Sequence, residues 1–227
     1  MIIEGLIEAF ELLFSFNKEI YQIIFLSLAL SLLSTIIASI FGVSLGMLIS
    51  VTDFKFKRLI KKLTFTFMGI PPVVLGLFVL LMITGPFDNN GLLFTFRAML
   101  VAQTLLVFPI IMGNIIISSE KTQKEILETA STLGASRIDK IKLLLKETNT
   151  FILMSMVLGF SRAISEVGAV MLVGGNIRGE TRTMTTFIAT NNSMGEYGTS
   201  IAMGIILLVI AFLLHTLIAK FRGDLYD

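Results

Sequence analysis

Four stretches of the chain contain no charged residue: Tyr21 to Thr52, Leu63 to Phe87, Ala98 to Ser119 and Tyr197 to Ala219. Each is at least as long as the roughly 20 apolar residues that cross about 30 Å of hydrocarbon. A helix on the surface of a soluble core repeats a polar face every 3.6 residues, and none of these runs sustains one. Thr148 to Ile177 reads as a further span with only Arg162 and Glu166 as charges, a pair whose i, i+4 spacing lets each satisfy the other within a helix. The pattern therefore predicts an all-α membrane protein with five transmembrane helices, at about 21–51, 64–84, 98–118, 150–174 and 198–219.

Residues 1–19 stand apart from the spans. Ile2, Ile3, Leu6, Ile7, Phe10, Leu13 and Phe14 fall at helical spacing opposite Glu4, Glu8 and Glu11. An amphipathic helix on the outer interface fits this pattern, and so does a helix packed on a neighbouring span. With acidic residues where a basic leader belongs, no cleavable signal peptide is expected. Residues 20–227 form the transmembrane domain.

Charge sets the orientation. Lys55, Lys57, Arg58, Lys61 and Lys62 lie between the first two spans, and Lys121, Lys124, Arg137, Lys140, Lys142 and Lys146 between the third and fourth. Lys220 and Arg222 follow the last, while the alternate segments hold only Lys18, Arg97, Arg178 and Arg182. Basic loops stay cytoplasmic, so the N-terminus is outside and the C-terminus inside, as an odd number of spans requires.

Prolines and glycines punctuate the spans. Pro71 and Pro72 remove two consecutive backbone donors in the second span and predict a kink or an unwound turn; Pro109 does likewise in the third. Such breaks belong against protein or a water-lined cavity, because lipid supplies no replacement partner. Gly42 and Gly46 permit close helix approach in the first span.

The segment Glu120 to Glu147 is the longest charged stretch. Ile126, Leu127, Ala130 and Leu133 form an apolar stripe on a charged helix that Gly134 ends, with a left-handed cap expected there. Ser136-Arg137-Ile138-Asp139 reads as a capping box that opens a second helix, so two short helices are expected over 122–147. They either present a surface to a partner or simply connect two spans; the pattern leaves both open.

Composition narrows the function classes. Of 227 residues, 55% are hydrophobic and 15% charged, with a net charge of +2. That near-neutrality gives no electrostatic support for nucleic-acid binding. The chain has no cysteine and a single histidine, His215, which excludes thiolate and multi-histidine metal sites. No Gly-x-x-x-x-Gly-Lys-Ser/Thr loop is present to cradle a nucleotide, and no nucleophile–base set is visible. The chain is therefore not expected to be an enzyme.

Glu128-Thr129-Ala130-Ser131-Thr132-Leu133-Gly134-Ala135-Ser136 resembles the Glu-Ala-Ala-x-x-x-Gly loop of ABC importer permeases, with Thr129 where alanine is usual. Gly69-Ile70-Pro71-Pro72-Val73-Val74-Leu75-Gly76 resembles the Pro-Pro-Val-Val-x-Gly element of molybdate and tungstate permeases. Ser161-Arg162-Ala163-Ile164-Ser165-Glu166-Val167-Gly168-Ala169 resembles the Arg-Ala-x-x-Glu-x-Gly-Ala element of the same group. Gly174-Gly175-Asn176-Ile177-Arg178-Gly179-Glu180-Thr181-Arg182 is similar to tungstate permeases in particular.

The resemblance implies a type I ABC importer permease core in the plasma membrane, carrying an oxyanion such as tungstate, with molybdate and sulfate as alternatives. It implies a second copy of the chain, two cytoplasmic ATPase subunits that bind ATP and Mg, and an extracytoplasmic oxyanion-binding protein as partners. No cofactor is implied in this chain. Glu128, Ala130, Gly134, Ala135 and Ser136 become candidates for ATPase coupling. Pro71, Pro72, Arg162, Glu166 and Gly168 become candidates for the pathway or its gate, with a purely structural Arg162–Glu166 pair as the alternative. Arg178 and Arg182 become candidates to face the binding protein, against an ordinary solvated loop. A secondary transporter without a motor is the rival from another class.

Overall fold

The computed structural model describes residues 7, 10–12, 14, 17–85 and 91–220. The expected N-terminal amphipathic helix and Arg222 lie largely or wholly outside them. Nine helices of the described residues carry the argument: α1 (Lys18–Val51), α2 (Lys57–Met68), α3 (Pro72–Thr84), α4 (Phe96–Thr132), α5 (Arg137–Glu147), α6 (Asn149–Ile164), α7 (Gly168–Gly174), α8 (Met184–Met194) and α9 (Tyr197–Lys220). Three stretches, Lys18–Val51, Phe96–Ser119 and Tyr197–Leu214, are long and apolar enough to cross a membrane alone. The count rises to five when the bent pairs α2–α3 and α5–α6 are each taken as one span.

Two expected spans are not single helices. The segment 64–84 divides at Gly69–Pro71, where α2 ends with the Gly69 and Ile70 amides donating to the carbonyls of Thr66 and Phe67, each at 3.2 Å. Pro71 has no amide to continue that ladder, and Pro72 opens α3 at the helix position that tolerates a missing donor. The segment 150–174 divides at Ser165–Val167, so Arg162 and Glu166 do not share one helix as their spacing suggested. Pro109 has the opposite outcome, since α4 runs through it without interruption.

The chain forms two compact units. The first takes the chain up to Ser31, Pro72–Gln103 and everything from Ile164 on. Its core gathers Leu30 of α1, Val79 and Ile83 of α3, Ala98, Met99 and Ala102 of α4, and Ala169, Val170 and Val173 of α7. Alanine and glycine at the crossings let backbones approach closely. A Cβ on Gly76 would stand 2.6 Å from Ala169 Cα, so α3 and α7 touch backbone to backbone.

The second unit comprises Leu32–Pro71 and Thr104–Ala163. Ala38 and Met47 of α1 are buried with Val107, Ile111 and Ile115 of α4 and Ala163 of α6. Gly42 and Gly46 face Ile111 and Ile115, where a Cβ would meet side-chain carbon at 3.2 and 2.9 Å, so the expected close contact is realised. Along α1 small residues recur among the buried positions: Ser27, Ser31, Ser34, Thr35, Ala38, Ser39, Gly42, Gly46 and Ser50 lie beside the larger Ile23, Leu30 and Met47. The large residues Phe25, Ile36, Ile40, Phe41 and Leu48 point outward. The hydroxyls of Ser27, Ser39 and Ser50 donate to the carbonyls four residues back at 2.6–2.8 Å, and Ser27 Oγ also accepts the Met184 amide of α8 at 2.8 Å. In lipid, where hydrocarbon solvates both faces equally well, this closeness of fit replaces hydrophobic exclusion as the force between helices.

Candidate functional site

The coupling candidates sit where α4 ends. α4 continues unbroken from its apolar stretch to Thr132, so the expected separate helix from residue 122 is the end of a 37-residue one. Nothing between Ser119 and Thr132 stops it: charged residues change the solvent preference of a helix without breaking its ladder, and this stretch holds no glycine or proline. Gly134 then turns the chain at φ +75°, a left-handed conformation that strains any residue with a Cβ. The Ala135 amide closes the turn on the Ala130 carbonyl at 2.9 Å, and Ala130 is buried.

The capping box is present. The Ser136 hydroxyl and amide donate to Asp139 Oδ2 at 2.6 and 3.1 Å, and the Asp139 amide returns a bond to Ser136 Oγ at 3.3 Å. Those bonds hold the Asp139 carboxyl below the ordinary aspartate range. α5 leads through buried Thr148 into α6 with a bend of 70°. Glu128 lies in the helical part of this segment, and its side chain is outside the described residues.

Two residues that the sequence reading named in the helical pattern, but not as site residues, dominate the turn's surface. Leu133 is 82% exposed and Ile138 is 65% exposed, one on each side of Gly134. The signal was available: Leu133 ends an apolar stripe with no further turn of helix to cover it, and the glycine cap directs it away from the stripe.

The pathway candidates divide between the two units. Pro72, Glu166 and Gly168 belong to the first, and Pro71 and Arg162 to the second. Within the first unit the beginnings of α3 and α7 lie side by side, because a Cβ on Gly168 would fall 2.5 Å from Val73 Cγ2. Glu166 is 3% exposed and accepts the Ala169 amide through Oε1 at 3.0 Å, capping the short α7. Its carbonyl accepts the Thr185 hydroxyl at 2.7 Å. Glu166 thus organises the break in the expected fourth span: it leaves the helix, caps the next one and anchors α8.

The segment after α7 is a built structure, not a solvated loop. Thr181, Thr183, Thr185 and Thr186 are all buried. The Thr181 hydroxyl donates to the Gly174 carbonyl and accepts the Ile177 amide at 2.9 Å. Thr183 and Thr186 form a reciprocal capping box that opens α8, a helix the sequence reading did not place; a threonine is not the usual fourth residue of such a box. Arg178 and Arg182 both reach Glu19 at the start of α1, the second at 3.5 Å. Arg178 remains largely exposed, whereas Arg182 is mostly covered. Among the described residues no group of three or more histidine, aspartate or glutamate side chains could hold a metal ion.

Comparison with known proteins places this architecture. Residues 38–222 match the family described as "Binding-protein-dependent transport system inner membrane component". The tungstate uptake system permease protein TupB of Peptoclostridium acidaminophilum is 43% identical over 225 residues, covering 98% of this chain and 99% of that one. The protein of the same description from Campylobacter jejuni is 31% identical over 97% of this chain and 93% of its own. The molybdenum transport system permease protein ModB of Escherichia coli K12 is 31% identical over 84% of this chain and 91% of its own. The family description implies an ATPase and a binding protein as working partners. With its membrane-spanning helices and the match over most of its length, the chain belongs to the inner membrane permease components of binding-protein-dependent ABC transport systems.

Proposed function

We propose that this permease imports tungstate, working as a pair of identical chains with two cytoplasmic ATPase subunits and an external oxyanion-binding protein. The observation that carries the coupling is the turn at Gly134, which holds two large apolar side chains in water beside a rigid left-handed corner. An exposed apolar pair flanked by polar residues marks a protein contact. In this reading Leu133 and Ile138 insert into the ATPase, Glu128, Ala130, Ala135 and Ser136 form the rest of the contact, and ATP and Mg stay in the ATPase. Closure of the ATPase pair draws the two turns together and opens the permease outward.

Tungstate as cargo is supported by the two tungstate permeases among the relatives, with 43% and 31% identity. Pro71, Pro72, Arg162, Glu166 and Gly168 are assigned to the pathway or its gate, each within its own unit. Arg178, exposed on the outer side, faces the binding protein, and Arg182 supports it through Glu19.

The test is uptake of radiolabelled tungstate into proteoliposomes that hold the permease and ATPase, with binding protein outside. Tungstate should accumulate only with ATP, and Leu133→Glu should abolish both accumulation and co-purification of the ATPase. Molybdate or sulfate accumulating in preference to tungstate reassigns the cargo and leaves the coupling intact. Normal ATP-driven uptake by Leu133→Glu overturns the coupling.

A further inference from the structure

α2 runs from the basic segment after α1 into the second hydrophobic stretch and presents a surface of its own. α2 carries three parallel stripes, each at i, i+4 spacing. Ile60, Thr64 and Met68 face inward: Ile60 packs on Ile49, Met112 and Ile116, Thr64 is buried, and Met68 lies against Gly113. Leu59, Leu63 and Phe67 are each about half exposed, on a second stripe. Arg58 and Lys62 are exposed on a third, next to the apolar one. Arg58, Lys61, Lys62, Phe65 and Thr66 line an open groove of about 540 Å³.

These stripes fix the setting. Lys57 is occupied, pairing with Asp53 and donating to the Ser50 carbonyl, both at 3.1 Å. Arg58 and Lys62 meet no carboxylate among the described residues. Four cations within its first six residues keep α2 out of the hydrocarbon core, yet an exposed leucine–leucine–phenylalanine stripe is poorly suited to water. A helix with one apolar edge and an adjoining basic edge satisfies both by lying in the plane of the interface, with the apolar edge in the acyl boundary and the cations at headgroup level. The charge bias of the chain puts this helix on the cytoplasmic side, where anionic lipid attracts it.

We propose that α2 is an interfacial helix that binds anionic phospholipid, with the headgroup phosphate in the groove of Arg58, Lys61 and Lys62 and the acyl chains along Leu59, Leu63 and Phe67. The bound lipid is part of the permease surface, and none of its residues belongs to the turn at Gly134. Phosphate chemistry fits the guanidinium as a two-point donor and the lysines as point charges.

The purified full chain in phosphatidylcholine vesicles, with trace spin-labelled phosphatidylglycerol or spin-labelled phosphatidylcholine, tests this by the motionally restricted fraction of each label. The native chain should hold phosphatidylglycerol in preference. The combined variant Arg58→Gln, Lys61→Gln, Lys62→Gln should remove most of that preference, since each cation near an anionic surface contributes about fivefold. Neutralising Lys140, Lys142 and Lys146 to glutamine should leave it unchanged. If the triple variant inserts poorly, Arg58→Gln and Lys62→Gln read separately give the same comparison, and the exchange Arg58→Lys with Lys62→Arg should restore most of the preference. Inorganic phosphate at constant ionic strength should not displace the restricted lipid. Equal preference in native and neutralised chains overturns the proposal. So does displacement by phosphate, which would make the groove a site for the free ion, or loss of ATPase or second-copy association with lipid preference intact, which would make α2 a protein contact.

Discussion

One methyl group at position 76 tests how rigidly α3 and α7 are joined. In Gly76→Ala the new Cβ would stand 2.6 Å from Ala169 Cα and 3.2 Å from both its Cβ and its carbonyl oxygen. Carbon atoms prefer separations of about 3.5–4.0 Å, so the two helices must part by about 1 Å. The obstacle is backbone and cannot rotate away. Overpacking of this kind costs about 1–3 kcal/mol. Alanine also gains up to about 1 kcal/mol of helix propensity over glycine, which would blur the measurement in a single variant. Gly204→Ala removes that ambiguity: it makes the same exchange within α9, where nothing lies within 4 Å of the added atom. The difference between the two variants isolates the overlap. At about 2–4 °C per kcal/mol for a chain of this size, Gly76→Ala should melt about 2–12 °C below Gly204→Ala. Thermal loss of the monodisperse peak in size-exclusion chromatography of the purified protein measures it. Because Val73 and Gly168 sit at the same contact, tungstate uptake should fall with it. Two variants that melt within about one degree of each other would refute the rigid contact between α3 and α7.

Gly134→Ala meets no atom within 4 Å, so its cost is the left-handed backbone alone, about 1–2 kcal/mol; amide exchange over residues 133–140 should quicken by about tenfold, and unchanged exchange there would contradict the tight turn. Thr183→Ala removes the cap of α8 and should lower stability by about 1–2 kcal/mol, while Thr183→Ser should recover most of it; equal melting of the two would show that the cap contributes nothing. Asp139 is bonded as a carboxylate, so its folded-state pKa lies below its unfolded one. Its contribution is present above the unfolded value and disappears as pH falls through the folded value. Ser136→Ala should therefore raise the Asp139 titration measured by carbon NMR and make α5 fray at a higher pH, and an unmoved titration would rule out the capping box as its cause.

Much of this architecture is legible from residue order, for identifiable reasons. Long uncharged runs announce spans because hydrocarbon tolerates nothing else, and α1, the first part of α4 and α9 follow them closely. Pro71–Pro72 is legible because proline lacks the amide that continues a helix, and Gly134 because glycine enters the left-handed region without strain. The break at Ser165–Val167 is not, because no proline or left-handed glycine marks it; there the Glu166 carboxylate accepts the Ala169 amide, a bond that glutamate's usual helix preference does not announce. The unbroken α4 was obscured by composition, since the change from apolar to charged at Glu120 looks like a boundary and is only a change of solvent. The outer arginines were legible as exposed charge, but their shared partner Glu19 lies far away in the chain.

The small-residue seam of α1 has a consequence for how mutations in this helix should be judged. Exchanging Gly46 or Ala38 for leucine makes the segment greasier, and the insertion machinery, which weighs partitioning into oil, would accept it readily. The folded protein applies a different criterion there: girth. Insertion and assembly therefore select the same residues by separate standards, and harmful variants along this edge will be the ones that reach the membrane normally and fail afterwards.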